Sequence, residues 1–263
     1  MTVEVRDLEV AYGSKKIIKG ISFDVNDGEI LSILGPNGAG KTTMIKGMCR
    51  IGKLDAGSVS INSRDIESFE RRELAQTLSY VPQRAVTSMM TVFDSVLIGR
   101  KPYIDWNIDS NNEEIVWEVL KQFSMDDLAL KYIDEISGGE LQKVQIARAV
   151  VQDTEVIVLD EPTNNLDLAN QHHILSLLRG AVKHKNACCI MIMHDLNLST
   201  YYSDKFIFVK DGLVEAYGGK EIITPETIKR VYGIDCTVEE IGGNTIVVPK
   251  RLEDADWGLN NTE

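Results

Sequence analysis

The sequence predicts an α/β fold in which a β-rich opening leads into alternating strands and helices, with a helical insertion part-way along. Three observations carry that reading. VEVRDLEV (3–10) alternates apolar and polar residues as a half-buried strand does, and EILSIL (29–34), EVIVL (155–159) and ACCIMIM (187–193) are compact apolar runs of strand length. Helical patterns fall between those runs. From 84 to 136 no strand pattern occurs at all.

Taken in order, 3–10 and ISFDV (21–25) read as strands, and Asn26-Asp27-Gly28 is a turn signal before the buried run EILSIL. A helix is expected over 42–50. SVSI (58–61) and LSYV (78–81) are strands on either side of a charged helical stretch near 70–76. The insertion, about 84–150, contains a helix over 112–123 with Ile115, Val116, Val119, Leu120 and Phe123 on one face, and Ser110 with Glu113 fits a capping box. A second helix runs to about 151, and another lies near 169–183 after EVIVL. FIFV and LVEAYG form a hairpin around Asp211-Gly212. Thr224-Pro225-Glu226 starts a helix with proline at its first position, and CTVEEI and TIVVP pair around Gly242-Gly243-Asn244. These last elements read as a helix-hairpin extension over about 219–251 of one domain spanning 1–251, and 252–263 as a polar tail.

The chain has 263 residues, of which 43% are hydrophobic and 26% charged, as in ordinary globular proteins rather than disordered ones. A net charge of −12 argues against nucleic acid as a partner, since that function leaves a basic stripe. ACCIMIM is far shorter than the ~18 residues of a membrane span, and MTVEVRDLEV lacks the basic start and apolar core of a secretory signal, so a cytoplasmic location is expected. Cys49, Cys188, Cys189 and Cys236 form no C-x-x-C pair and read as reduced apolar filler, with Cys188 and Cys189 on opposite faces of a strand.

ISGGE (136–140) raises a question that local rules answer only in part. Ser137 and Glu140 fit a capping box, but Gly138 and Gly139 are poor choices for a helix start, each costing about 1 kcal/mol against alanine. A close approach to that backbone would explain them. GPNGAGKT (35–42) matches G-x-x-x-x-G-K-[ST] between a buried strand and a helix, where glycines let N–H groups close around phosphate oxygens, Lys41 places a charge at the β- and γ-phosphates and Thr42 offers a hydroxyl to Mg²⁺. EVIVL ends in Asp160 and Glu161, the first suited to the metal and the second to orienting or deprotonating a water. Acids at strand ends also serve as helix caps. His194 after ACCIMIM, usually a structural position for a lone histidine, and Gln83 after LSYVP add polar groups at the same edge, where ligands of open α/β sheets collect.

With GPNGAGKT, the glutamine of YVPQ, ISGGE, LDEPTNNLD and MHD in this order, nearly the whole chain resembles the ATP-binding subunit of an ABC transporter. The resemblance implies a P-loop NTPase core with an antiparallel β subdomain and an inserted α-helical signature subdomain. It implies Tyr12 stacking on adenine, Gly35, Pro36, Asn37, Gly38, Ala39, Gly40, Lys41, Thr42 and Thr43 cradling the phosphates of ATP, and Thr42, Gln83 and Asp160 serving Mg²⁺. Glu161 is then the base, His194 the γ-phosphate sensor and Gln83 the sensor of metal and water. Ser137, Gly138 and Gly139 act on the ATP of a second subunit, and Asn164-Asn165-Leu166-Asp167 resembles the loop where the two subunits meet. An aromatic in AYG is equally a packed strand-end residue. Ile136 and Glu140 depart from the family's leucine and glutamine without removing a phosphate ligand.

TVFDSVLIGRKPY (91–103) and IKRVYGIDCTVEEIGGNTIVVP (228–249) look like the ATPases of importers for iron-siderophores, haem and cobalamin. That likeness implies an ATP-dependent head-to-tail homodimer at the inner face of the cell membrane. Its partners are an integral-membrane permease dimer, which the family docks on part of 89–98, and indirectly a substrate-binding protein. The alternatives are the ATPase of an exporter or simple metal-ion importer, a soluble ABC ATPase, which would bring a second cassette or long insertion, and a P-loop kinase or GTPase, in which the SGG stretch has no role.

Overall fold

The computed structural model describes residues 2–83, 89–104, 110–164 and 166–251. The expected tail at 252–263, the start of the expected insertion at 84–88 and Asn165 lie outside the described residues. The chain opens with β1 (Thr2–Tyr12), β2 (Lys15–Asn26) and β3 (Ile30–Leu34), then α1 (Lys41–Met48), β4 (Ala56–Ile61), β5 (Arg64–Asp65), α2 (Arg71–Thr77) and β6 (Leu78–Val81). Helices α3 (Val92–Leu97), α4 (Ser110–Gln122) and α5 (Gly138–Val151) follow without a strand among the described residues. Next come β7 (Val156–Asp160), α6 (Leu168–Lys185), β8 (Cys188–Ile192), α7 (Leu196–Tyr202), β9 (Lys205–Lys210) and β10 (Leu213–Gly218). The described chain closes with α8 (Pro225–Tyr232), β11 (Cys236–Ile241) and β12 (Asn244–Pro249).

A central sheet in the order β10-β9-β3-β8-β7-β6 is parallel except at β10, and a second sheet, β2-β1-β4-β5, is antiparallel. The central strands are buried on both faces, which is why their sequences are continuous apolar runs. Alternation divides them: Ile30, Ile157, Leu159, Cys189 and Met191 pack towards the helices, whereas Leu31, Val156, Val158, Cys188 and Ile190 pack towards α1 and the antiparallel sheet. Cys188 and Cys189 thus sit on opposite faces, and all four cysteines are free and buried. The inserted helices share one core with the central sheet, through Val92 and Val96 of α3, Val116 and Leu120 of α4 and Val144 of α5.

Local signals predicted most boundaries. Asp211 and Gly212 carry φ of 51° and 79° at the β9–β10 turn, as a two-residue hairpin requires, and Thr224 caps α8 by accepting from the Thr227 N–H. Two differences stand out. Ser110 is already helical, so it does not cap α4 as its spacing with Glu113 suggests. Helix α3, absent from the sequence reading, is set by Thr91, whose Oγ1 accepts from the Asp94 N–H at 3.1 Å. The closing hairpin lies on α7, where Asn197 Oδ1 accepts from the Val247 N–H at 2.8 Å and Thr200 Oγ1 donates to Thr245 O at 2.7 Å.

Candidate functional site

The carboxyl ends of β3, β6, β7 and β8 bring their polar groups to one edge. After Leu34 the chain turns through Gly35, whose φ of 146° is combined with a backbone approach so close that a Cβ would stand 2.0 Å from Val209 O. A side chain there is excluded twice, by conformation and by space. The loop runs on to Gly40, the residue before α1, and Asn37 to Thr43 with Tyr12, Ile17 and Glu161 line a cleft of about 320 Å³. Lys41 is 6% exposed, and its Nζ donates to Gly35 O at 2.6 Å and Pro36 O at 3.0 Å. Burial pushes its pKa down and the charges of Glu161 and Asp160 push it back up. Tyr12 is 66% exposed on that cleft, so it is not the packed strand-end residue its sequence context equally allowed.

Asp160 and Glu161 end β7 with different surroundings. Asp160 is 1% exposed, its Oδ1 accepts from the Thr42 hydroxyl at 3.2 Å, and its buried Oδ2 has no hydrogen-bond partner. Burial raises its pKa, against the Thr42 hydrogen bond and the charges of Lys46 and Lys41. Glu161 has a φ of 55°, a left-handed conformation that non-glycine residues adopt at a cost and that recurs where a side chain must be aimed. Its carboxylate accepts from Gln83 Nε2 at 2.5 Å, from Asn164 Nδ2, and from His194 Nε2 on Oε1. Gln83 and His194, expected at the metal and the γ-phosphate, therefore meet on Glu161. Asn164 is a member of this cluster that the sequence reading assigned only to the subunit-contact loop; its place one turn after Glu161 was the available signal.

Ser137 forms the capping box that ISGGE predicts: its N–H and hydroxyl both donate to Glu140 Oε2 at 2.7 Å, and its Oγ accepts from the Glu140 N–H at 3.3 Å. These bonds hold the Glu140 carboxyl below the usual range. The glycines need another cause, since neither has a left-handed φ, a Cβ on Gly138 would meet nothing and one on Gly139 would only touch Leu166 Cδ2 at 3.3 Å. Ser137, Gly139, Glu140 and Lys143 line a separate recess of about 350 Å³ with Leu166, Asp167 and Asn170. Asp167 caps α6 there, its Oδ1 accepting from the Asn170 N–H at 2.8 Å. No residue is common to this recess and the Lys41 cleft. Gln142 Nε2, donating to Pro162 O at 3.1 Å, ties α5 to the loop that leaves Glu161. A larger cavity of about 600 Å³ between α4 and α6 is walled by Val119, Phe123 and Leu177 and contains none of these groups.

Three comparisons bear on this geometry. The family model described as ABC transporter matches residues 18–164. An uncharacterized ABC transporter ATP-binding protein of Methanocaldococcus jannaschii is 49% identical, over 95% of this chain and 98% of its own. The iron(3+)-hydroxamate import ATP-binding protein of Bacillus subtilis is 34% identical, over 90% of each. Among solved structures, a metal-chelate type ABC transporter in an inward-facing conformation has a chain that matches with a TM-score of 0.82 at 26% identity, covering 95% of this chain and 97% of that one.

Proposed function

The chain belongs to the ABC transporter family, as an ATP-binding and ATP-hydrolysing subunit, and from that premise we propose that it drives the import of a metal chelate through a membrane permease. The cargo class rests on the relative named for iron(3+)-hydroxamate import and on the metal-chelate transporter that matches in structure. The catalytic reading rests on one observation above the others: a carboxylate on the wall of the phosphate cleft, Glu161, that gathers donors from three loops at one sheet edge.

In this reading the backbone of Gly35 to Thr43 and Lys41 hold the phosphates and Tyr12 stacks on the adenine. Mg²⁺ fits the donor set, since Thr42 and Asp160 offer hard oxygens and Asp160 Oδ2 is a buried acceptor without a partner. When bound, the ion neutralises and orients the β- and γ-phosphates. Glu161 takes the proton of the attacking water, while Gln83 and His194, held on its carboxylate, orient it and report the γ-phosphate. Ser137, Gly138 and Gly139 complete the site of a second copy in a head-to-tail homodimer. The helix start offers that phosphate N–H groups and a favourable dipole of about 0.3–1 kcal/mol.

Among the described residues no helix is long and apolar enough to cross a membrane, and attachment by way of the permease accounts for a peripheral position on the inner face. Exposed Ile98, at the end of the 89–98 segment expected to meet the permease, lies in a recess with Pro102, Arg71, Arg72 and Lys101. This recess is taken as part of the surface for the permease dimer, which in turn receives cargo from a substrate-binding protein.

Two variants test the catalytic assignment. Lys41→Ala is expected to abolish tight nucleotide binding, because Lys41 acts on ground-state phosphates. Glu161→Gln is expected to keep binding and slow hydrolysis by about 10²–10⁴-fold, the usual loss for a removed base; wild-type turnover in Glu161→Gln would sink the role. The cargo is tested by uptake into vesicles containing the whole transporter, which should take in a ferric siderophore, haem or cobalamin. Uptake of free metal ions alone would overturn the chelate reading and leave the ATPase reading standing.

A further inference from the structure

Only a few buried side-chain polar atoms lack a hydrogen-bond partner among the described residues, and two of them are Tyr80 Oη and Asp160 Oδ2. One is a donor and the other an acceptor. They belong to adjacent parallel strands, β6 and β7, in which Tyr80 is paired with Val158. Asp160 lies two residues beyond Val158 and so faces the same side of the sheet, the side on which Tyr80 and Val158 pack with α1. A diagonal neighbour of this kind is within reach of an aromatic side chain. Asp160 lies close enough to Tyr80 to act on its phenol both as a charge and as a side-chain hydrogen-bond partner, although the pair falls short of ordinary hydrogen-bond geometry. A solitary orphan is a local imperfection, but a matched pair that includes a proposed metal ligand calls for a role.

We propose that Tyr80 is a positioning residue for Asp160: its hydroxyl donates to the unpartnered carboxylate oxygen when Asp160 serves Mg²⁺, and so fixes the rotation of the carboxylate. This rests on the reading of Asp160 as a metal ligand. Thr42 holds one oxygen from the α1 side and Tyr80 holds the other from the β6 side, each using one lone pair, so that the carboxylate is fixed while a second lone pair on each oxygen still serves the metal. Outer partners of this kind are commonly worth 10–100-fold in metal affinity. The role is distinct from that of Gln83, three residues on, whose side chain is engaged with Glu161.

The test is the Mg²⁺ dependence of nucleotide binding, followed with a fluorescent ATP analogue at fixed nucleotide, in wild type, Tyr80→Phe and Asp160→Asn. Tyr80→Phe is expected to need about 10-fold more Mg²⁺ for its half-maximal response, with binding in EDTA and the melting temperature of the nucleotide-free protein unchanged. An unchanged Mg²⁺ midpoint overturns the proposal, and so does a shift accompanied by equal loss of binding in EDTA, which marks general damage. Asp160→Asn should lose the Mg²⁺ response; if it responds like wild type, the metal reading itself fails, and the two failures are told apart.

Discussion

A methyl group added at Gly138 would enter open space on ordinary helical backbone, whereas one added at Gly35 would collide with Val209 O. The two glycines therefore predict opposite mutants. Gly35→Ala is expected to destabilise the fold by about 3 kcal/mol or more, because the φ and the clash both have to be relieved. Gly138→Ala is expected to stabilise α5 by up to about 1 kcal/mol and yet lower ATPase activity. Denaturant midpoints set beside turnover read both, and a Gly138→Ala protein of full activity would return that glycine to chance. At the same helix start, Ser137→Ala removes the cap and should cost about 1 kcal/mol, while Glu140→Gln keeps the box nearly intact. The lowered Glu140 pKa gives that pair a pH signature. A depressed carboxylate stabilises above its unfolded pKa and stops doing so as pH falls through its folded one. The advantage of wild type over Glu140→Gln should accordingly narrow from pH 7 to below pH 4 in urea titrations.

Where an element is held by neighbours rather than by its own pattern, the sequence conceals it. GPNGAGKT and EVIVLDE announced β3, α1 and β7 because glycines, an apolar run and terminal acids coincide there. Helix α7, LNLSTYY, has no comparable pattern, being short and rich in Ser, Thr and Tyr. Beyond the local cap, where Asp195 Oδ1 accepts from the Leu198 N–H at 2.9 Å, its support is tertiary: Arg179 donates to Tyr202 O at 2.7 Å, Tyr202 meets His172, and Ser203 meets Ser32 across a buried 2.7 Å hydroxyl pair. The same holds within the site, since the meeting of Gln83, Asn164 and His194 depends on the left-handed turn at Glu161, which no spacing rule encodes. The C-terminal hairpin joins α7 through the same kind of contact. Thr200 and Thr245 are buried, and Thr200→Val would leave Thr245 O without its partner at a cost of about 1–3 kcal/mol. Amide exchange in β11 and β12 should quicken in that variant while nucleotide binding is retained; protection equal to wild type would mean the hairpin is held elsewhere.

Across the described residues, the two faces of the central sheet are each packed into a continuous core, and the two recesses proposed to hold ATP remain apart. Lys41, Thr42 and Glu161 belong to one and Ser137, Gly139 and Asp167 to the other. If the two recesses are the halves of one ATP site, as proposed, the chain is expected to work in pairs, head to tail, around a two-fold axis. Gly139→Asp should leave the monomer folded and abolish hydrolysis, because its carboxylate would stand where the phosphate of the partner's ATP is expected. The most direct measurement mixes that variant with Lys41→Ala, adds ATP and Mg²⁺, and reads mass by light scattering. One composite site in the mixed pair then retains Lys41 from one chain and the glycine from the other. A nucleotide-dependent heterodimer, with each variant monomeric alone, is the predicted result; a mixture that stays monomeric, or full ATPase activity in Gly139→Asp by itself, would contradict it.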